Sequence, residues 1–106
     1  DLYNDWGNQT ELIIYCVKGN KGLTTRKGNV LSFSRLNTSK MVHPTQKPTE
    51  LIKELLSASA YKNDFVIDPF MGSGSTIKAC NEMNIKSLGI ELDKEMFNIA
   101  NAFINE

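Results

Sequence analysis

The amino-acid sequence predicts an α/β domain, and three observations carry that prediction. After residue 48, apolar stripes at helical spacing alternate with short apolar runs in the order helix, strand, helix, strand, helix. That order implies a parallel βαβ unit with a right-handed crossover. Between the first of those strands and the next helix stands Asp68-Pro-Phe-Met-Gly72-Ser-Gly74-Ser-Thr76, a glycine turn of the kind that presents a helix N-terminus to a ligand. Upstream, two β-branched and aromatic runs flank a glycine-rich loop, the pattern of a long-looped hairpin.

Taken in order, Glu11 to Val17 carries Leu-Ile-Ile-Tyr-Cys-Val closed by Lys18-Gly-Asn, which reads as a buried strand. A second strand is predicted from Val30 to Ser34. Gly19, Gly22 and Gly28, with Asn20 and several cations between the two runs, predict a flexible loop with a basic, exposed tip. Trp6, Tyr15 and Phe33 read as core aromatics rather than base-stacking ones, because hydrophobic strand positions usually face the interior. Residues 36 to 45 lack periodicity. Pro44 and Pro48 then bracket Thr-Gln-Lys, and proline suits the first turn of a helix.

From Thr49 to Tyr61, Leu51, Ile52, Leu55, Leu56 and Ala58 form one apolar stripe, predicting a helix. Phe65-Val-Ile predicts a strand that stops at Asp68-Pro69, where proline ends the hydrogen-bond ladder. Ser75 to Met83 reads as a helix, and Lys86 to Glu91 as a strand through Leu88 and Ile90. Asp93 to Phe103 reads as a helix capped by Asp93, with Met96, Phe97, Ala100, Phe103 and Ile104 on one side.

With 106 residues, 41% hydrophobic and 23% charged, the composition is that of one ordinary soluble domain. Cys16 and Cys80 stand far apart and His43 is the sole histidine, so the usual ligands assemble no metal site and the thiols are expected free. No run of about 18 apolar residues and no charged-then-apolar leader is visible; a reducing cytoplasm and no membrane fit best. Asp1 in place of Met fits a trimmed or partial product. The net charge of zero conceals a split. Residues 1 to 48 hold seven basic and three acidic residues, a balance of +4, and residues 49 to 106 hold five and nine, a balance of −4. A basic half is compatible with a polyanion or with simple solubility.

The Asp68 to Thr76 turn joins strand to helix, where unpaired N–H groups and the positive end of a helix dipole suit a carboxylate or phosphate. A phosphate loop of the Gly-x-x-x-x-Gly-Lys-Ser/Thr type is ruled out, because Lys78 sits in no such frame. A dinucleotide fingerprint is weakened, since Ile77 occupies the third small-residue position. Glu91, 19 residues beyond Gly72, ends the next strand where a carboxylate can accept from both hydroxyls of a ribose. The ligand reads as a nucleoside.

His43-Pro-Thr-Gln-Lys-Pro48 and Asp68-Pro-Phe-Met-Gly-Ser-Gly-Ser-Thr76, 25 residues apart at their first positions, together resemble the DNA adenine-N6 and cytosine-N4 methyltransferases. The likeness is to the subset whose target-recognition part precedes the cofactor turn, and it runs from Glu11 to Glu106. It implies a partial Rossmann-like class I methyltransferase sheet, a βαβα cofactor unit preceded by a β-hairpin and a helix. Residues 1–106 would then form a single partial domain, with the hairpin and basic loop in 1–42 and the S-adenosylmethionine-binding region in 43–106. By the same resemblance, Gly72 and Gly74 would take the methionine moiety, with Met71 in the same turn, Ser75 and Thr76 near its carboxylate, and Asp68 beside its cationic end. Phe70 would pack on the cofactor, Glu91 would hold the ribose, Leu92 would border the adenine, and Thr45 and Lys47 would reach the carboxylate. His43 would serve as a ligand contact or only fix its turn. Lys18, Lys21, Arg26 and Lys27 would lead toward the phosphates of double-stranded DNA, giving salt-sensitive affinity without sequence choice.

The family's catalytic tetrapeptide, Asp/Asn/Ser-Pro-Pro-Tyr/Phe, does not occur in the chain, so no catalytic residue is assigned. In the family's sheet, central strands would separate the hairpin from the βαβ unit, and those are expected to be missing here. Open strand edges invite association. The expectation is a chain that folds poorly or oligomerises alone, completed by the remaining part of the same enzyme, by a complementary chain, or by pairing as a homodimer.

Overall fold

The computed structural model describes residues 10–33 and 47–106. The fold is built on three helices and a two-stranded parallel sheet among those residues: α1 (Thr49–Ser59), β1 (Phe65–Asp68), α2 (Ser75–Glu82), β2 (Lys86–Gly89) and α3 (Lys94–Ile104). β1 and β2 run in register from Phe65 opposite Lys86 to Asp68 opposite Gly89. The ladder continues beyond the strands, for Ile90 donates to the Asp68 carbonyl at 2.9 Å and Met71 to the Ile90 carbonyl at 3.0 Å. All five elements predicted after residue 48 form, within a few residues of their expected limits.

Two small cores hold these elements together. In the first, Leu56 of α1 meets Ala79 and Cys80 of α2, with Ile52, Val66, Met83 and Ile85 around them. In the second, Met71 and Ile77 meet Ala100 of α3, with Ile104 against them. Ala79, Cys80 and Ala100 are fully buried; small side chains here let the helices approach closely. Burial pushes the Cys80 thiol above its ordinary pKa, while a hydrogen bond with Ser87 opposes the shift. Helix α2 ends in a Schellman pattern: Asn84 takes a left-handed φ of 56°, its N–H reaching the Asn81 carbonyl and that of Ile85 the Cys80 carbonyl. Lys53 crosses from α1 to pair with Glu82 of α2 and with Glu50.

No hairpin forms among the described residues. Residues 11–17 and 30–33 hold no strand, and Ser34 lies outside the described residues. Leu12 is 96% exposed and Tyr15 56% exposed, so this run is not a buried strand and Tyr15 is not core; Phe33 is exposed as well. Trp6 lies outside the described residues. The physical reason is that a strand is stabilised by its partners, and among the described residues neither run has one. The glycine-rich loop is exposed throughout, as its basic tip predicts, but it does not stand away from the fold. It lies along the C-terminal end of α1: the Thr24 N–H donates to the Ala58 carbonyl and its hydroxyl to that of Ser57, both at 2.8 Å, satisfying last-turn acceptors that a helix leaves open. Tyr61 donates its hydroxyl to the Gly22 carbonyl at 2.9 Å. Lys21 pairs with Asp64, and Lys27 with Glu54.

One face of the sheet is open. Phe65, Ile67, Leu88 and Ile90, alternate positions on the two strands, are all about half exposed, while Val66 on the other face joins the first core. No helix among the described residues is long and apolar enough to cross a membrane.

Candidate functional site

The glycine turn stands at the C-terminal ends of the parallel strands, where crevices form in open α/β sheets. Asp68 closes β1, and its Oδ1 accepts the Phe70 N–H at 3.1 Å. Gly74 then donates to the Met71 carbonyl at 2.8 Å, rounding the turn into α2. Gly72 and Gly74 take positive φ, 51° and 90°, which side chains resist. Their surroundings differ. A Cβ on Gly72 would meet nothing within 4 Å, whereas one on Gly74 would stand 2.8 Å from Ile104 Cδ1 and 3.3 Å from Ala100 Cβ. Gly74 lets α3 pack against the turn, and Gly72 borders open space where a ligand could lie.

Glu91 binds the two halves of the site. Its Oε1 accepts the Gly72 N–H at 3.1 Å and its Oε2 the Asp93 N–H at 2.8 Å. Asp93 in turn caps α3 by accepting the Met96 N–H at 2.8 Å. Helix α2 begins differently. Gly74 is its N-cap, no side chain caps it and no acidic residue lies in its first turn, so its positive end is left for an anion. Ser75, first in the helix, is buried and its Oγ has no hydrogen-bond partner. An orphaned buried hydroxyl is unusual, and here it stands beside the uncapped amides.

The expected site residues sort clearly. Asp68, Gly72, Gly74, Ser75, Thr76 and Glu91 gather at the turn, the start of α2 and the end of β2. Phe70 is 88% and Leu92 100% exposed, apolar side chains standing on either side of the Gly72 to Glu91 link in sequence and covered by none of the described residues. Met71 is corrected in one respect. Its side chain is 8% exposed and belongs to the second core, leaving only its backbone for a ligand. Lys47 pairs with Glu11. Thr45 and His43 lie outside the described residues. Of the basic loop residues, Lys21 and Lys27 are already paired with the chain's own carboxylates, which are Asp64 and Glu54; Lys21 holds Asp64 below its ordinary pKa, helped by the Tyr61 N–H. Lys18 and Arg26 form no ion pair with a described residue. Among the described residues no group of three or more His, Cys, Asp or Glu could hold a metal ion.

Two contributors to the site went unpredicted. Asp93 was expected as a cap but its N–H also fixes Glu91. Gly89 lies in β2, and a Cβ there would clash with Met71 Sδ and stand 2.7 Å from Ile77 Cγ1; its bareness admits the side chain that anchors the turn. The glycine between Leu88 and Ile90 was the only available signal.

The family model for DNA methylases of the N6/N4 group matches residues 6–102. This chain belongs to that DNA methylase family. Among curated relatives, the type II methyltransferase M.HpaI of Haemophilus parainfluenzae is 39% identical over 75 residues, which is 68% of this chain and 24% of that protein. The type II methyltransferase M2.LlaDCHI of Lactococcus lactis subsp. cremoris is 39% identical over 64 residues, 60% of this chain and 24% of that one. Among solved structures, the M1.HpyAVI–SAM complex superposes with a TM-score of 0.64 at 34% identity, covering 79% of this chain and 45% of the other. The chain thus spans about a quarter of the length of these curated relatives.

Proposed function

We propose that this chain supplies the S-adenosylmethionine-binding part of a DNA methyltransferase that methylates an exocyclic amine, adenine N6 in preference to cytosine N4. The observation that carries the reading is the link from Gly72 to Glu91, which sets an open glycine turn beside a strand-end carboxylate. The cofactor's methionine carboxylate would lie at the uncapped start of α2, against the Ser75 hydroxyl and Thr76. Asp68 would face its cationic end, favourable for opposite charges in a partly dry site. Glu91 would take the ribose, Phe70 would pack against the cofactor and Leu92 would border the adenine. Bound there, S-adenosylmethionine supplies an activated methyl group. The SAM complex of a 34% identical relative supports this choice.

The chain has no Pro-Pro-Tyr or Pro-Pro-Phe string, so the groups that hold a flipped target base must come from elsewhere. The partner that fits is the remaining part of a longer methyltransferase or a complementary chain, with a homodimer of this chain as the competing assembly. Double-stranded DNA would be the substrate, with Lys18 and Arg26 available to its phosphates. The missing tetrapeptide also leaves a second reading, a non-catalytic module that binds S-adenosylmethionine or nucleic acid. Residues 1–106 act as one partial domain in either case, with 43–106 holding the cofactor.

Calorimetric titration with S-adenosylhomocysteine tests the cofactor assignment. Wild type should bind, Gly72→Leu should not, because its side chain enters the ligand's space, and Glu91→Ala should weaken binding by about 1–3 kcal/mol, the usual cost of losing a charged hydrogen-bond partner. Equal affinity in all three, or binding of NAD in place of S-adenosylhomocysteine, would refute it. Methyl transfer to unmodified DNA by the chain alone would refute its dependence on a partner.

A further inference from the structure

Two backbone donors engage the Glu91 carboxylate. One oxygen receives the N–H of Gly72 and the other the N–H of Asp93. The first donor lies in the turn between β1 and α2, the second at the cap of α3, so a single side chain ties two loops that approach the same strand ends. The rest of the framework leaves Gly72 to this contact. Met71 is held by the Ile90 carbonyl and Gly74 by the Met71 carbonyl, but Gly72 sits between them at positive φ with nothing within 4 Å of its Cβ position. A glycine in that situation has much conformational freedom to lose.

We infer that Glu91 is a positioning residue: its carboxylate holds the glycine turn and the α3 cap in the ligand-ready shape in the unliganded chain. Fixing the loop in advance removes an ordering cost from the binding step. An ionised carboxylate offers about four acceptor sites. Two are used by the backbone donors, which leaves about two, matching the two hydroxyls of a ribose. This last step rests on the cofactor reading above; the clamp itself does not. The clamp deepens that reading by giving one carboxylate two duties, and it makes the two loops move together.

The test is backbone amide exchange and amide chemical shift, measured by NMR on the ligand-free 106-residue chain. The Gly72 and Asp93 amides should be protected in wild type. In Glu91→Ala both should lose protection by about tenfold or more, the scale of a charge-assisted hydrogen bond, with both resonances moving. Glu91→Gln keeps one carbonyl oxygen and should retain protection at one of the two amides, a partial rescue that general destabilisation does not produce. Glu95→Ala, in the exposed first turn of α3, should leave both unchanged. Unprotected Gly72 and Asp93 amides in wild type, protection that persists in Glu91→Ala, or a spectrum without dispersed amides would overturn the clamp. Titration of S-adenosylhomocysteine into the same sample separates the two claims: protected amides without binding would sink the cofactor reading and leave the clamp, and binding with unprotected amides would do the reverse.

Discussion

Replacing Gly74 with alanine probes the contact between the turn and α3. Gly74 has φ of 90°, and a left-handed conformation costs a side-chain-bearing residue about 1–2 kcal/mol. The added Cβ would also sit 2.8 Å from Ile104 Cδ1 and 3.0 Å from its Cγ1, an overpacking whose usual cost is about 1–3 kcal/mol. Together these give about 2–5 kcal/mol, a large share of the 5–15 kcal/mol that typically stabilises a domain. Gly72→Ala supplies the control. It has the backbone cost alone, because nothing lies within 4 Å of its Cβ position, so about 1–2 kcal/mol is expected. Urea unfolding followed by circular dichroism should therefore rank wild type above Gly72→Ala and Gly72→Ala above Gly74→Ala. Adding Ile104→Val to Gly74→Ala removes the nearest methyl and should recover about 0.5 kcal/mol or more as a coupling energy in a double-mutant cycle. Equal destabilisation by the two alanine substitutions, or no coupling to Ile104, would refute the close approach of α3 to the turn.

Further outcomes follow from the rest of the fold. In the native chain an alkylating reagent should modify the exposed Cys16 and spare the buried Cys80, whose thiol burial also keeps protonated; mass spectrometry showing both modified at equal rates would mean the α1–α2 core does not persist. Asp64 and Glu82 are held below their ordinary values of 3.8 and 4.5, chiefly by Lys21 and Lys53. A depressed carboxylate stabilises the folded chain above its unfolded pKa and loses that contribution as pH falls through its folded value, so stability should decline on the acid side, less steeply in Asp64→Asn. Thr24→Ala should release the loop from α1, read as faster amide exchange at residue 24. With Phe65, Ile67, Leu88 and Ile90 open on one sheet face, sedimentation of the isolated chain should show self-association; a monomer at every concentration would contradict this.

The contrast between the two halves of the chain shows what a sequence can announce. α1, α2 and α3 carry their apolar stripes within themselves, α3 is capped by its own Asp93, and β1 and β2 are brought together by the helix between them, so local pattern and tertiary partner coincide. The glycine turn was legible for the same reason, since its conformational demand falls on Gly72 and Gly74. The run Leu12 to Val17 has equally strong strand residues, but its partner is not specified by anything nearby, and the intervening loop finds α1 through Thr24 and Lys27 and the turn after α1 through Lys21. Those contacts depend on where the α1 C-terminus lies in space, which spacing in sequence does not reveal. The inward direction of Met71 was hidden similarly, as it depends on the bareness of Gly89, eighteen positions later.

Amide chemical-shift perturbation by S-adenosylhomocysteine would locate the cofactor on the chain. The prediction is that the resonances that move lie in the turn from Asp68 to Thr76 and at Glu91 to Asp93, with the loop from Lys18 to Lys27 unaffected. Shifts confined to that loop or to the open sheet face, or no shifts at saturating ligand, would contradict it.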